Sequence, residues 1–115
     1  MGDKAEKNFS ELPHILIVDD DVRNIFSLAS VLEARGASVI YAERGSDGIE
    51  MLRAKSGIDA ALIDIMMPDK SGYDVCREIR QGDQDTPIIF ISSKSETIDK
   101  VLGLEIGADD YIVKP

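Results

Sequence analysis

The chain has 115 residues and a formal net charge of −9 at pH 7, because 22 Asp and Glu residues outnumber 13 Lys and Arg residues. This length and a hydrophobic content of 43% fit one domain whose core needs neither a disulfide nor a structural metal. The acidic balance argues against direct binding to nucleic acid or to a membrane surface, and with one cysteine and no apolar run of membrane length we expect a cytoplasmic protein.

Short apolar runs that stop at polar residues predict five strands. Residues 1–12 lack such a pattern and are expected to form a flexible tail or linker remnant, so the domain should occupy residues 13–115. Runs rich in Ile, Val and Leu, typical of strands buried on both faces, lie at residues 15–18, 38–42, 58–64, 88–91 and 111–113.

Apolar residues at helical spacing predict four helices between these strands. Their amino ends are expected at the capping residues Asp21, Ser46 and Ser93, the last in a capping box with Glu96. Their carboxyl ends are expected near Gly36, Gly57, Gly82 and Gly107. Cys76 lies on the apolar stripe of the third helix and should be a small core residue.

The alternation of strands and helices determines the expected fold class. A helix between successive strands favours parallel pairing through right-handed crossovers, which places helices on both faces of the sheet. We therefore expect a doubly wound α/β domain with a five-stranded parallel sheet.

Four predicted strands end in polar residues, at the edge where open parallel sheets bind ligands. These residues are Asp19-Asp20-Asp21, Asp64, Ser92-Ser93 and Lys114. Grouped carboxylates repel one another unless a cation neutralises them, and oxygen ligands without Cys or His favour Mg²⁺, with Mn²⁺ as the alternative. A hydroxyl and an ammonium at the same edge suit an anion, so the pattern points to phosphoryl transfer to a carboxylate.

Four segments around these residues carry a resemblance to a known family. They are residues 15–21 (ILIVDDD), 62–68 (LIDIMMP), 87–93 (PIIFISS) and 107–115 (GADDYIVKP). In this order and spacing they resemble the receiver domain of two-component response regulators and hybrid sensor histidine kinases. The resemblance implies a flavodoxin-like fold with strand order 2-1-3-4-5. It also implies a phosphorelay switch, not an independent enzyme, that takes its phosphoryl group from a histidine kinase or a histidine phosphotransfer protein.

The resemblance assigns the acidic residues to the phosphoacceptor and its metal. Asp64 matches the phosphoacceptor, Asp20 a direct metal ligand, and Asp19 a ligand that acts through water. The carbonyl of Met66, two residues after the acceptor, matches the backbone ligand of the metal.

Three further positions match residues that respond to phosphorylation. The resemblance implies that Ser92 supplies the switch hydroxyl, that Lys114 contacts the phosphoryl group, and that Tyr111 rotates inward on activation. Tyr111 also fits an ordinary half-buried strand aromatic. Lys94, two residues after Ser92, is expected either to be solvated or to influence water access to the phosphate.

Three other functions remain open at this point. A magnesium-dependent phosphatase with an aspartyl nucleophile would carry a general acid two residues after Asp64, where this chain has Met66. A flavin-binding module would have a loop rich in Gly, Ser or Thr after the first strand, where this chain has acids. A degenerate receiver would act only by binding a partner.

The sequence departs from the pattern of the receiver family after Lys114. Receivers normally continue into a fifth helix, whereas this sequence stops at Pro115. We therefore expect either a piece of a longer chain, with one sheet face uncovered, or self-association that covers this face. The fourth helix and fifth strand are a further expected surface for self-association. Residues 23–26 resemble receivers of hybrid kinases, whereas residues 98–111 resemble those of transcription factors.

Overall fold

The computed structural model describes residues 12–54, 57–92 and 97–114, in which strands and helices alternate along the chain. The strands are β1 (His14–Val18), β2 (Ser38–Ala42), β3 (Ala60–Asp64), β4 (Ile88–Ser92) and β5 (Asp110–Val113). The helices are α1 (Val22–Ala34), α2 (Gly45–Ala54), α3 (Gly72–Arg80) and α4 (Thr97–Ile106). None of these helices combines the length and apolar character needed to cross a membrane.

The strands form one parallel sheet in the order β2-β1-β3-β4-β5. This confirms the predicted fold class and strand order. In the register, Asp64 lies opposite Ile91, and Ser92 lies opposite Val113. The carboxyl ends of β3, β4 and β5 therefore meet at one edge of the sheet, and the end of β1 lies beside that of β3.

Helices pack on both faces of the sheet. The main core joins Leu16, Ile63 and Phe90 of the strands to Val75 and Cys76 of α3, and all five side chains are fully buried. The contacts of α3 with α2 and with α4 place these three helices on the same face. The buried position of Cys76 agrees with its predicted core role.

The opposite face of the sheet carries α1 and an open apolar groove of about 540 Å³. The apolar side chains that line the groove are Leu28, Leu32, Leu62, Ile89, Ile91, Ile112 and Val113. In the part of the chain that the structure describes, no helix follows β5 on this face. This agrees with the uncovered face expected from the sequence.

The ends of α1 and α4 follow the predicted signals. The carboxylate of Asp21 caps α1 by accepting a hydrogen bond from the backbone N–H of Arg23 at 2.9 Å. Gly36 and Gly107 follow the last turns with φ angles of +96° and +131°. Glycine reaches this left-handed region without the steric penalty that a Cβ brings. The predicted capping box at Ser93 and Glu96 lies outside the described residues.

Two predicted starts differ from the structure by more than one residue. The expected cap at Ser46 is wrong, because α2 begins at Gly45 and the Gly48 N–H already bonds to the Arg44 carbonyl at 3.1 Å. Strand β3 begins at Ala60, later than the predicted residue 58. The Asp59 carboxylate accepts a hydrogen bond from the His14 N–H at 2.7 Å, so this residue bridges to the start of β1 before β3 begins.

Candidate functional site

The acids that follow β1 and end β3 form one cluster. The side chains of Asp19 and Asp64 are buried, with residues 1% and 4% exposed, whereas Asp20 is exposed. One carboxylate oxygen from each of these three residues lies within 4.8 Å of the others. The structure therefore brings together the three predicted acidic site residues. The Asp21 carboxylate is engaged elsewhere, since it caps α1 and pairs with the Arg23 guanidinium at 3.0 Å.

Lys114 brings a positive charge into this cluster. Its Nζ lies 3.2 Å from Oδ1 of Asp64 and 3.4 Å from Oδ2 of Asp19. Its backbone N–H donates to the carbonyl of Ser92 at 2.7 Å, which holds Lys114 beside the end of β4. Among the described residues, three carboxylates face one ammonium group, which leaves an excess of negative charge in this part of the site.

The protonation of Asp64 reflects this imbalance. Burial, followed by repulsion from Asp19, raises the pKa of the Asp64 carboxyl above its usual value, and Lys114 offsets only part of this effect. Burial by itself lowers the pKa of Lys114, but attraction to Asp64 and Asp19 outweighs it and leaves the pKa raised. The site thus stabilises positive charge next to Asp64, which is the electrostatic requirement of a cation site.

The loop after β3 places a backbone group beside Asp64. The backbone N–H of Met66 acts to lower the pKa of the Asp64 carboxyl but does not offset the effect of burial, and the Met66 side chain is 57% exposed at the mouth of the site. The flanking side chains of Ile65 and Met67 are buried. The Gly72 N–H closes the loop by donating to the Ile65 carbonyl at 2.9 Å. The expected metal contact of the Met66 carbonyl stays a prediction.

The two expected switch residues both lie inside the domain. Ser92 is fully buried at the end of β4, and Tyr111 is only 8% exposed. The Tyr111 ring meets Phe90 edge to face, with ring centroids 6.4 Å apart and planes at 77°. A Cβ added to Gly103 would lie 3.2 Å from the Tyr111 ring, so α4 packs directly against it. Tyr111 is already inward here, and its rotation on activation stays a prediction.

Two contacts near the site were missed from the sequence. The Asp69 carboxylate, in the loop after β3, accepts a hydrogen bond from the Gly45 N–H at 3.4 Å, and thus reaches the start of α2. Twenty-four residues separate these partners, so no local pattern could indicate the contact. Ser71 caps α3 by accepting from the Asp74 N–H at 3.2 Å, and a serine before an apolar helical pattern was a signal that could have located it. Lys94 lies outside the described residues.

Comparison with known proteins identifies the same segment that carries the sequence resemblance. The profile of the family described as "Response regulator receiver domain" matches residues 15–115. The chain is 43% identical over 102 residues to the transcriptional regulatory protein DltR of Streptococcus agalactiae, with 88% of this chain and 45% of DltR covered. It is 44% identical over 101 residues to the transcriptional regulatory protein CpxR of Escherichia coli, with 88% and 42% covered. The chain thus spans less than half the length of either relative.

Solved structures give the same result for the fold. The response regulator TrrA of Thermotoga maritima has a TM-score of 0.82 and 30% sequence identity, with 90% of this chain and 88% of TrrA covered. That crystal structure is described as a complex with Mg²⁺-BeF. The receiver domain protein of Methanospirillum hungatei has a TM-score of 0.84 and 30% identity, with 91% and 83% covered.

Proposed function

Because this chain belongs to the response regulator receiver domain family, we propose that it is a phosphoacceptor switch whose Asp64 accepts a phosphoryl group in the presence of Mg²⁺. One observation carries the proposal. Asp64 ends β3 inside a cluster that also holds the carboxylates of Asp19 and Asp20 and the ammonium of Lys114. This arrangement provides an oxygen nucleophile, ligands for a hard cation and a donor for an anion.

The donor set fits Mg²⁺, with Mn²⁺ as the alternative. Asp19, Asp20 and Asp64 offer carboxylate oxygens within 4.8 Å of one another, and the Met66 carbonyl would add a backbone oxygen. Oxygen-only sites of this kind suit hard divalent cations. The cation would neutralise the carboxylates and the charge that develops on the phosphoryl oxygens. The Mg²⁺-BeF complex described for TrrA supports this assignment, since TrrA shares the fold over 90% of this chain.

In the proposed reaction an Asp64 carboxylate oxygen attacks the phosphorus of a phosphohistidine on the donor protein. A bond forms between that oxygen and phosphorus while the bond from phosphorus to the imidazole nitrogen breaks, and the imidazole leaves with the electron pair and takes up a proton. Lys114, now 3.2 Å from Asp64, would bind a phosphoryl oxygen, and the Ser92 hydroxyl would bind another. No strong base is required, because the bound cation and Lys114 would hold the Asp64 nucleophile as an ionised carboxylate.

The proposed partner is a histidine kinase or a histidine phosphotransfer protein in the cytoplasm. The proposed output is a change in the surface formed by α4 and β5. Exposed apolar side chains on that surface, which suit self-association, are Val101, Leu102 and Leu104. Ser92 drawn toward the phosphoryl group would change the packing of Tyr111 beneath α4. The phosphatase alternative is not favoured, since the position of its general acid is the exposed Met66.

The test is phosphorylation by acetyl phosphate, followed by intact-protein mass spectrometry. Wild type with Mg²⁺ should gain the mass of one phosphoryl group, and removal of Mg²⁺ with EDTA should abolish the gain. Asp64→Asn should gain none, whereas Asp59→Asn, at the opposite end of the sheet, should react like wild type. Equal labelling of Asp64→Asn and wild type would reject the assignment of Asp64. Rapid multiple turnover of a small phosphate ester would instead support a phosphatase.

A further inference from the structure

The loop that follows Asp64 is tied to a helix outside the acidic cluster. Asp69, in the middle of this loop, directs its carboxylate to the amino end of α2, where the Gly45 N–H donates at 3.4 Å. Burial by itself raises the pKa of Asp69, but hydrogen bonds from the backbone N–H groups of Gly45, Lys70 and Ser46 outweigh it and hold the pKa below its usual value. The first N–H groups of a helix lack partners within the helix, so Asp69 supplies to α2 the cap that Ser46 does not.

Side chains of the loop and of α3 also pack tightly against the start of α2. A Cβ added to Gly45 would come within 2.7 Å of Cγ2 of Val75 and 3.1 Å of Cβ of Lys70. Lys70 is held in turn by an ion pair of 2.6 Å between its Nζ and Oε1 of Glu78 on α3. The loop is therefore packed between the start of α2 and α3, and the contact from Asp69 is its polar link to α2.

This link bears on the site through Met66, which lies three residues before Asp69. The Met66 side chain is 57% exposed, so its own packing does little to hold it, yet its backbone N–H, two residues along the chain from Asp64, stabilises the charged form of the Asp64 carboxyl. The position of the Met66 backbone consequently depends on how the rest of the loop is held. The buried Ile65 and Met67 hold its apolar side, and Asp69 holds the segment that leads to α3.

We propose that Asp69 is a positioning residue for the site: through the amino end of α2 it holds the loop of residues 65–71 so that the Met66 backbone faces Asp64. The part of this proposal that concerns Mg²⁺ rests on the proposed function above. The contact itself does not, because it joins two groups of this chain.

The experiment compares Asp69→Ala with Asp69→Asn in a Mg²⁺ titration followed by backbone amide NMR. Asn keeps a capping oxygen but removes the charge, whereas Ala removes both. Asp69→Ala should raise the dissociation constant for Mg²⁺ about tenfold, the lower range for loss of groups that support metal ligands. Asp69→Asn should stay within about twofold of wild type, because asparagine caps about as well as aspartate. Equal weakening in both variants would overturn the proposal in favour of a simple charge effect.

Asp59→Ala is the matched control for a purely structural loss. Its carboxylate also accepts a backbone N–H, from His14, but at the amino ends of the strands. This variant should lose stability and bind Mg²⁺ like wild type. If Asp59→Ala weakened Mg²⁺ binding as much as Asp69→Ala, the effect would reflect stability alone and the proposal would fail.

A second measurement needs no metal. In the metal-free protein, amide hydrogen exchange of residues 65–67 and 69–70 should be at least about threefold faster in Asp69→Ala than in wild type, and unchanged in Asp69→Asn. Unchanged exchange in Asp69→Ala would overturn the positioning role. A wild-type protein that showed no response to Mg²⁺ would instead contradict the proposed function, while the exchange measurement would still decide whether Asp69 holds the loop.

Discussion

Replacement of Gly72 by alanine should damage both the stability of the domain and its acidic site. A Cβ at this first residue of α3 would lie 2.6 Å from the carbonyl oxygen of Asp64 and 2.8 Å from Cα of Ile65. Ordinary contacts of a Cβ begin at 3.4 Å, so the backbone must move by about 0.8 Å, the difference between 3.4 and 2.6 Å. Both contacted atoms belong to the main chain, and no side-chain rotation can relieve the clash.

The size of the loss follows from two opposing effects. Forcing an extra methyl group into a packed site costs about 1–3 kcal/mol, whereas alanine in a helix interior gains at most about 1 kcal/mol over glycine. Since Gly72 lies at the end of α3, that gain is smaller, and we expect a net loss of about 2 kcal/mol. With a urea m-value of about 2 kcal/mol/M, the unfolding midpoint should fall by about 1 M. Mg²⁺ binding should weaken as well, because the main chain of Asp64 itself must shift.

Gly82→Ala is the matched control. A Cβ at Gly82 would have no heavy atom within 4 Å, and Gly82 has no positive φ. The free energy of unfolding of this variant should equal that of wild type or exceed it by up to about 1 kcal/mol, because alanine restricts the unfolded chain. The reasoning would be refuted if Gly72→Ala had the same urea midpoint as wild type, or if both variants lost the same free energy of unfolding.

Two further substitutions test the charges described above. Lys114→Met should destabilise the metal-free domain by about 1–3 kcal/mol, because it leaves the buried carboxylates of Asp19 and Asp64 without their ammonium partner. Mg²⁺ should therefore raise the melting temperature of Lys114→Met more than that of wild type in thermal unfolding, and an equal rise would contradict the electrostatic account. Asp83→Ala should cost about 1–2 kcal/mol at neutral pH, because the Asp83 carboxylate accepts hydrogen bonds from the N–H and hydroxyl of Thr86. These bonds lower the pKa of Asp83, so its stabilisation is complete above the ordinary value of 3.8 and is lost as the pH falls through the lowered pKa. Urea unfolding at a series of pH values should show the difference from wild type closing only in that acidic range.

The positions of the site residues could be predicted from the sequence because they depend on local signals. Each central strand is an apolar run, and the first polar residue after it lies near the carboxyl edge of a parallel sheet whatever the details of packing. The strand pattern alone therefore predicts that Asp19, Asp64 and Lys114 lie at one edge of the sheet. Helix ends such as Asp21 and Gly36 were predictable for the same reason, because caps depend on residues within a few positions of each other.

Contacts between distant segments were decided only by the tertiary structure. This applies to Asp59, whose partner His14 lies 45 residues away, and to Asp69, whose partner Gly45 lies 24 residues away. Periodicity and capping preferences describe a segment and its neighbours, whereas these pairs depend on the path by which crossovers return each segment to the sheet. That path also determines how closely the loop after Asp64 approaches α2.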